Sequence, residues 1–129
     1  MAQIKIYGID THLNPIKKQL SDVIHSCVVE ALVFPKDKRF HRFLPMNDDA
    51  LLYPSNRSKA YTIIEIMMIE GRTKETKKKL IALLFEHIRK ELGIQAVDIE
   101  ILIQEAPAYH FGFRGMSGDE MLLDYKVEI

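Results

Sequence analysis

The chain has 129 residues, and its 18 Lys and Arg balance 18 Asp and Glu, so its formal net charge is zero. That balance gives no bulk attraction toward nucleic acid or an anionic membrane surface, and it leaves self-association unopposed. One cysteine, Cys27, excludes an intramolecular disulfide. The first residues lack the apolar run of a secretory signal and no apolar stretch is long enough to span a bilayer, so a cytoplasmic location is expected.

Residues 2–9 set Ile4 and Ile6 against Gln3, Lys5 and Tyr7, the alternation of a strand. Asn14-Pro15 predicts a helix start, with Asn14 as cap and the proline in the first turn. Ile16, Leu20, Val23, Ile24, Cys27 and Ala31 recur at helical spacing to about residue 33, and Pro35 stops the helix. Residues 38–45 predict a second strand, and 46–59, rich in Asn, Asp, Pro and Ser, a loop. Residues 60–69 form a nearly continuous apolar strand, which predicts burial on both faces. Thr73 is a candidate cap for a second helix carrying Leu80, Leu83, Leu84, Ile88 and Leu92, and Gly93 ends it. Residues 97–104 alternate again, and the glycine-punctuated last twenty residues predict a short hairpin and a tail.

The order of elements repeats at a constant offset of sixty. Ile4 and Ile6 fall on Ile64 and Ile66, and Leu20, Val23, Ile24 and Leu32 fall on Leu80, Leu83, Leu84 and Leu92. The expected fold is α/β (α+β): one domain, 1–129, of two pseudo-repeats, 1–59 and 60–129. Two β-α-β units give a four-stranded mixed sheet with two helices on one face and a C-terminal hairpin. The other face is left open, which predicts an oligomer that covers it.

Four stretches resemble the tautomerase superfamily, and within it the branch of malonate semialdehyde decarboxylase. They are the strand Ala2–Tyr7, the junction Ala31-Leu-Val-Phe-Pro-Lys-Asp-Lys-Arg-Phe40, the helix opening Gly71-Arg72-Thr73-Lys74-Glu75-Thr76-Lys77, and Tyr109-His110-Phe111-Gly112. The resemblance implies a homotrimer that uses no metal or organic cofactor and acts on a small 2-oxo or unsaturated carboxylate. In that family a proline exposed by removal of the initiator methionine moves the proton, and arginines hold the substrate carboxylate. Here position 2 is Ala2, so the family's N-terminal catalytic proline is missing. With Met1 removed, Ala2 would present a primary amine, ordinarily titrating at about 7.7–8.0 and lowered by an apolar pocket. In the decarboxylase branch a carboxylate precedes the strand-two arginine. Lys38 stands at that position here, and Glu70 replaces the first of two arginines before helix two, so decarboxylation is poorly supported.

The resemblance makes Arg72 and Arg39 the carboxylate-binding candidates and Tyr109 and Phe111 the pocket wall. Each also has a structural reading: a salt bridge for the arginines, packing for the aromatics. The five histidines show no metal-ligand spacing. His110, near the expected pocket, and His12, at the repeat position of Arg72, are weaker acid–base candidates, while Cys27 reads as core. Two functions follow: a cofactor-independent tautomerase-like isomerase or lyase, or a non-catalytic binding or scaffold protein of the same fold.

Overall fold

Two antiparallel central strands hold the structure together, and each is flanked by a parallel strand from its own half of the chain. The computed structural model describes residues 2–121 and 126–129. In chain order these form β1 (Ala2–Ile9), α1 (Asp10–Leu32), β2 (His41–Met46), β3 (Thr62–Ile69), α2 (Lys74–Leu92) and β4 (Ile99–Ala106), then a small hairpin of β5 (Gly112–Phe113) and β6 (Met116–Ser117). The sheet order is β2-β1-β3-β4, with β1/β2 and β3/β4 parallel and β1/β3 antiparallel.

The sixty-residue offset is visible in the coordinates. β1 and β3 begin and end sixty residues apart and share one pattern of buried and half-buried positions. α1 and α2 end on Leu32 and Leu92. Because Lys5 pairs with Glu65 across β1/β3, the pseudo-twofold relating the halves passes through that pair. Ile4, Ile6, Ile64, Ile66 and Met68 turn to the helices and form one core with Leu20, Ile24, Leu80, Leu84 and Ile88. Burying branched side chains of this size contributes about 1.5–3 kcal/mol each.

Four local expectations are corrected. α1 begins at Asp10, not at Asn14-Pro15, because the chain passes from strand to helix without a loop; Ile9 occupies the cap position and offers no side-chain hydrogen bond. Pro15 therefore lies inside the helix and removes one backbone hydrogen bond. β2 begins at His41, three residues late. The alternation over 97–104 fails at its start, since Ala96–Asp98 form a 3-10 turn that exposes Val97 and buries Asp98. Finally, β3 is not apolar on both sides. Its helix-free face carries Ile63, Glu65 and Met67, and Glu65 continues a charged row from Lys5 and Arg42.

The two helix ends show how one geometry tolerates different residues. Gly93 follows α2 in the left-handed conformation (φ 70°), and Val33 follows α1 in the same conformation (φ 50°, ψ 49°). Glycine adopts it without penalty, whereas a β-branched residue is strained there. At the start of α2, Thr73 caps the helix by accepting from the Thr76 N–H at 3.2 Å.

Candidate active site

The strand directions gather the candidate residues at one end of the sheet. β1 starts there with Ala2, and β3 and β4 finish there with Ile69 and Ala106. The approach to β2 lies at the same end, where the Ile4 N–H donates to the Phe40 carbonyl at 3.0 Å. The Glu70 N–H donates to the Ala106 carbonyl at 2.9 Å, tying the Gly71-Arg72 turn to the segment that continues into Tyr109.

Ala2 is buried (3% exposed) and pairs with Met68, so an amine at this position would sit among apolar groups. Arg72 is also buried (4% exposed), and its Nη1 donates to the Ile69 carbonyl at 3.1 Å. Gly71 precedes it with φ 140°; a β-carbon there would press on the Val127 backbone. The turn that aims Arg72 inward thus needs glycine for both conformation and space.

Arg39 points elsewhere. It is exposed and pairs with Asp22 on α1 at 2.6 Å, with a longer contact to Ser21 Oγ at 3.4 Å. That pairing holds the Asp22 carboxyl below its usual range. Tyr109 is largely exposed, with its ring edge-on to His110, and Phe111 is half-buried. Tyr109, Phe111, Phe113 and Met116 line an open hollow of about 610 Å³ on the hairpin. A second hollow of about 410 Å³ at this end is lined by Ile69, Glu70, Ala108 and Asp119, among others. Neither includes Ala2, Arg39 or Arg72 in its lining. These residues share an end of the sheet, and neither of the two hollows gathers them all.

Two of the five histidines, His25 and His41, brace the fold. His25 is buried, with Nε2 2.7 Å from the Lys36 carbonyl, and pins the connection from α1 to β2. His41 Nδ1 lies 2.8 Å from Ser21 Oγ, and its ring meets His25 edge-on at 6.0 Å. Burial, helped by the charges of His25 and Arg39, pushes the His41 pKa down to about 4. Burial pushes the Cys27 thiol up to about 11, so it is inert as a nucleophile at neutral pH. No group of His, Cys, Asp and Glu among the described residues is arranged to hold a metal ion. No helix among them is long and apolar enough to cross a membrane.

Sequence reasoning missed several polar contacts that brace this frame. Asp98 accepts from both the backbone N–H and the hydroxyl of Ser58 at 2.7 Å, anchoring the crossover between the halves. Arg57 pairs with Glu100 at 2.8 Å, and Lys77 with Glu105 at 2.7 Å. Each partner lies more than 25 residues away, and only the strand register brings them together.

The family model described as "Tautomerase enzyme" matches residues 38–114, and the chain belongs to that family. A probable tautomerase of Ralstonia nicotianae is 39% identical over 54 residues, which are 42% of this chain and 77% of the relative. The match thus takes most of that protein but less than half of this one, as expected where one chain holds two units. Among solved structures, a fused 4-OT described as an asymmetric trimer superposes with a TM-score of 0.80 at 22% identity, covering 91% of this chain and 96% of its own. Malonate semialdehyde decarboxylase superposes with a TM-score of 0.78 at 18% identity, covering 86% and 89%. At these identities the two structures show the fold, and they match it nearly equally well.

Proposed function

We propose that the chain is a cofactor-independent enzyme of the tautomerase type, an isomerase or lyase acting on a small 2-oxo or unsaturated carboxylate. The observation that carries this reading is the extent of the family match. Residues 38–114 contain Arg39, Arg72, Tyr109 and Phe111 together, and the register sets Ala2 at the same end of the sheet. In this reading the chain is a single domain of two pseudo-repeats, 1–59 and 60–129, and works as a cytoplasmic homotrimer. A neighbouring copy would supply the wall that one chain leaves open.

Arg72 grips the substrate carboxylate from a buried position, where Coulomb attraction is stronger than in water. Arg39 would assist only by giving up Asp22. The amine of Ala2, exposed by removal of Met1, takes the enol hydroxyl proton, and the ammonium so formed returns that proton to the substrate carbon as the C=O bond forms. Tyr109 and Phe111 keep the amine in apolar surroundings, which favours its neutral, basic form. Ala2 in place of the family's proline supports a second reading, a non-catalytic trimeric binding protein that keeps the carboxylate grip.

Ketonisation of a small 2-hydroxydienoate, followed by ultraviolet absorbance, separates the two. The enzyme reading expects turnover above the solvent rate that falls at least about a hundredfold in Arg72→Gln. Tyr109→Ala, an exposed change that spares the fold, should lower kcat/KM as well. Carboxylate binding without turnover would establish the second reading. Wild-type turnover in folded Arg72→Gln would remove Arg72 from the site.

A further inference from the structure

Residues 126–129 lie against the turn that carries Arg72 and touch it on both sides. Before Arg72, Val127 packs on Gly71: a β-carbon added to the glycine would stand 3.2 Å from the Val127 carbonyl oxygen and 3.3 Å from its Cγ2. After Arg72, the Thr73 and Thr76 hydroxyls stand 3.1 and 2.5 Å from the Ile129 backbone oxygen. Val127 is buried and Ile129 half-buried, while Lys126 and Glu128 are exposed. The four residues thus have an inner side, which clasps Gly71 and the first turn of α2, and an outer side.

Arg72 is 4% exposed, so a carboxylate in solution does not reach its guanidinium in this conformation. Neighbouring copies can only bury it further, so something at this turn must open in any assembly. On the sheet side the turn continues the β3/β4 ladder: the Glu70 N–H donates to the Ala106 carbonyl, and Arg72 Nη1 to the Ile69 carbonyl. On the other side it is held by residues 126–129, through one buried apolar side chain and two hydroxyl contacts. Those gains oppose the conformational entropy of four ordered residues and are of similar size to it, so docked and released states lie close in free energy.

We propose that residues 126–129 form a releasable strap that gates Arg72. Docked, the strap seals the guanidinium from small anions; released, it admits one. That the admitted anion is a substrate carboxylate rests on the function proposed above, whereas the gating itself does not.

Phenylglyoxal, which condenses with accessible guanidinium groups, reads the gate without any substrate. The full-length protein, Val127→Asp and Thr76→Val are each treated with it, and peptide mass mapping gives the modification rate of every arginine. Exposed Arg39 is the fast standard, and Arg57, paired with Glu100 at the far end of the sheet, reports on the rest of the fold. Arg72 should react at least about tenfold more slowly than Arg39 in the natural chain, and about tenfold or more faster in Val127→Asp, with Arg57 unchanged. Thr76→Val removes one strap contact and leaves the Thr73 cap in place, so it keeps the fold if Val127→Asp does not, and should speed Arg72 by about threefold. Natural Arg72 reacting as fast as Arg39, an unchanged Arg72 rate in both variants, or an equal rise at Arg57 would overturn the proposal. Turnover in Arg72→Gln tests the functional reading separately, so failure of the gate and failure of that reading are told apart.

Discussion

The position of His41 makes the fold sensitive to mild acid. Its ring lies beneath the edge strand, with Nδ1 2.8 Å from the Ser21 hydroxyl. Arg39 donates to the oxygen of that hydroxyl at 3.4 Å. A proton on the ring would place a charge in a largely buried site, beside Arg39 and His25. Accordingly the pKa falls from 6.5 to about 4 on folding. Above pH 6.5 the ring is neutral in both states and contributes no pH dependence. As the pH falls from 6.5 to 4, the unfolded chain takes up the proton and the folded chain does not, so stability is lost across that window. At about 1.4 kcal/mol per unit the full shift corresponds to about 3 kcal/mol, and because the ring is only partly buried, solvent screening reduces the expected loss to on the order of 1–2 kcal/mol. Urea unfolding at pH 7, 5.5 and 4.5 measures it, with His41→Gln as the control. The variant should be less stable at pH 7 but lose less stability by pH 4.5 than the natural chain. Identical pH dependence in the two proteins would refute the reasoning.

Two further substitutions test the backbone. Gly118 packs so closely that a β-carbon would run into the Ala108 carbonyl oxygen, while its own N–H donates to the Phe111 carbonyl at 2.7 Å. Gly118→Ala should therefore cost about 1–3 kcal/mol in urea unfolding and loosen the hairpin that carries Tyr109. Val33→Gly should instead stabilise the chain by about 1 kcal/mol, because it relieves a β-branched residue in a left-handed conformation where the other repeat has Gly93. A destabilised Val33→Gly would mean that its exposed side chain contributes more than the strain costs.

The fold was legible because the hydrophobic pattern repeats. Ile4 with Ile6 and Ile64 with Ile66 marked the two central strands, and Leu20 with Ile24 and Leu80 with Leu84 marked the two helices at the predicted offset. What escaped were places where local signals conflict with the tertiary arrangement. Asn14-Pro15 carries every mark of a helix start, yet the helix begins four residues earlier because Ile9 leads straight out of the sheet. Val33 ends a helix without the glycine that announced the end of the second. The charged row Arg42-Lys5-Glu65 depends on register between three strands, and alternation within any one strand does not reveal it.

The surroundings of the candidate residues were legible only in part. Gly71-Arg72-Thr73 was marked by the resemblance, and the structure shows the glycine's positive φ, the buried guanidinium and the threonine cap. Arg39 drew notice as a basic residue beside an aromatic one, but its ion pair with Asp22 lies across a helix and could not be read from spacing. The contact of the Thr73 and Thr76 hydroxyls with the Ile129 backbone oxygen, at 3.1 and 2.5 Å, likewise joins residues more than 50 apart. Tail residues 122–125 lie outside the described residues, so the expected course of the C-terminal tail is described only on either side of them.

The central claim is that Ala2 presents a reactive amine at the carboxylate-binding end of the sheet. Its most direct test is an intact-mass spectrum taken before and after incubation with pyruvate and borohydride, with the adduct located by peptide mapping. The account predicts a mass lacking Met1 and a reduced imine adduct on Ala2, formed as the amine condenses with the ketone, loses water and takes hydride from the borohydride. A retained Met1 with no adduct on the N-terminal peptide would contradict it.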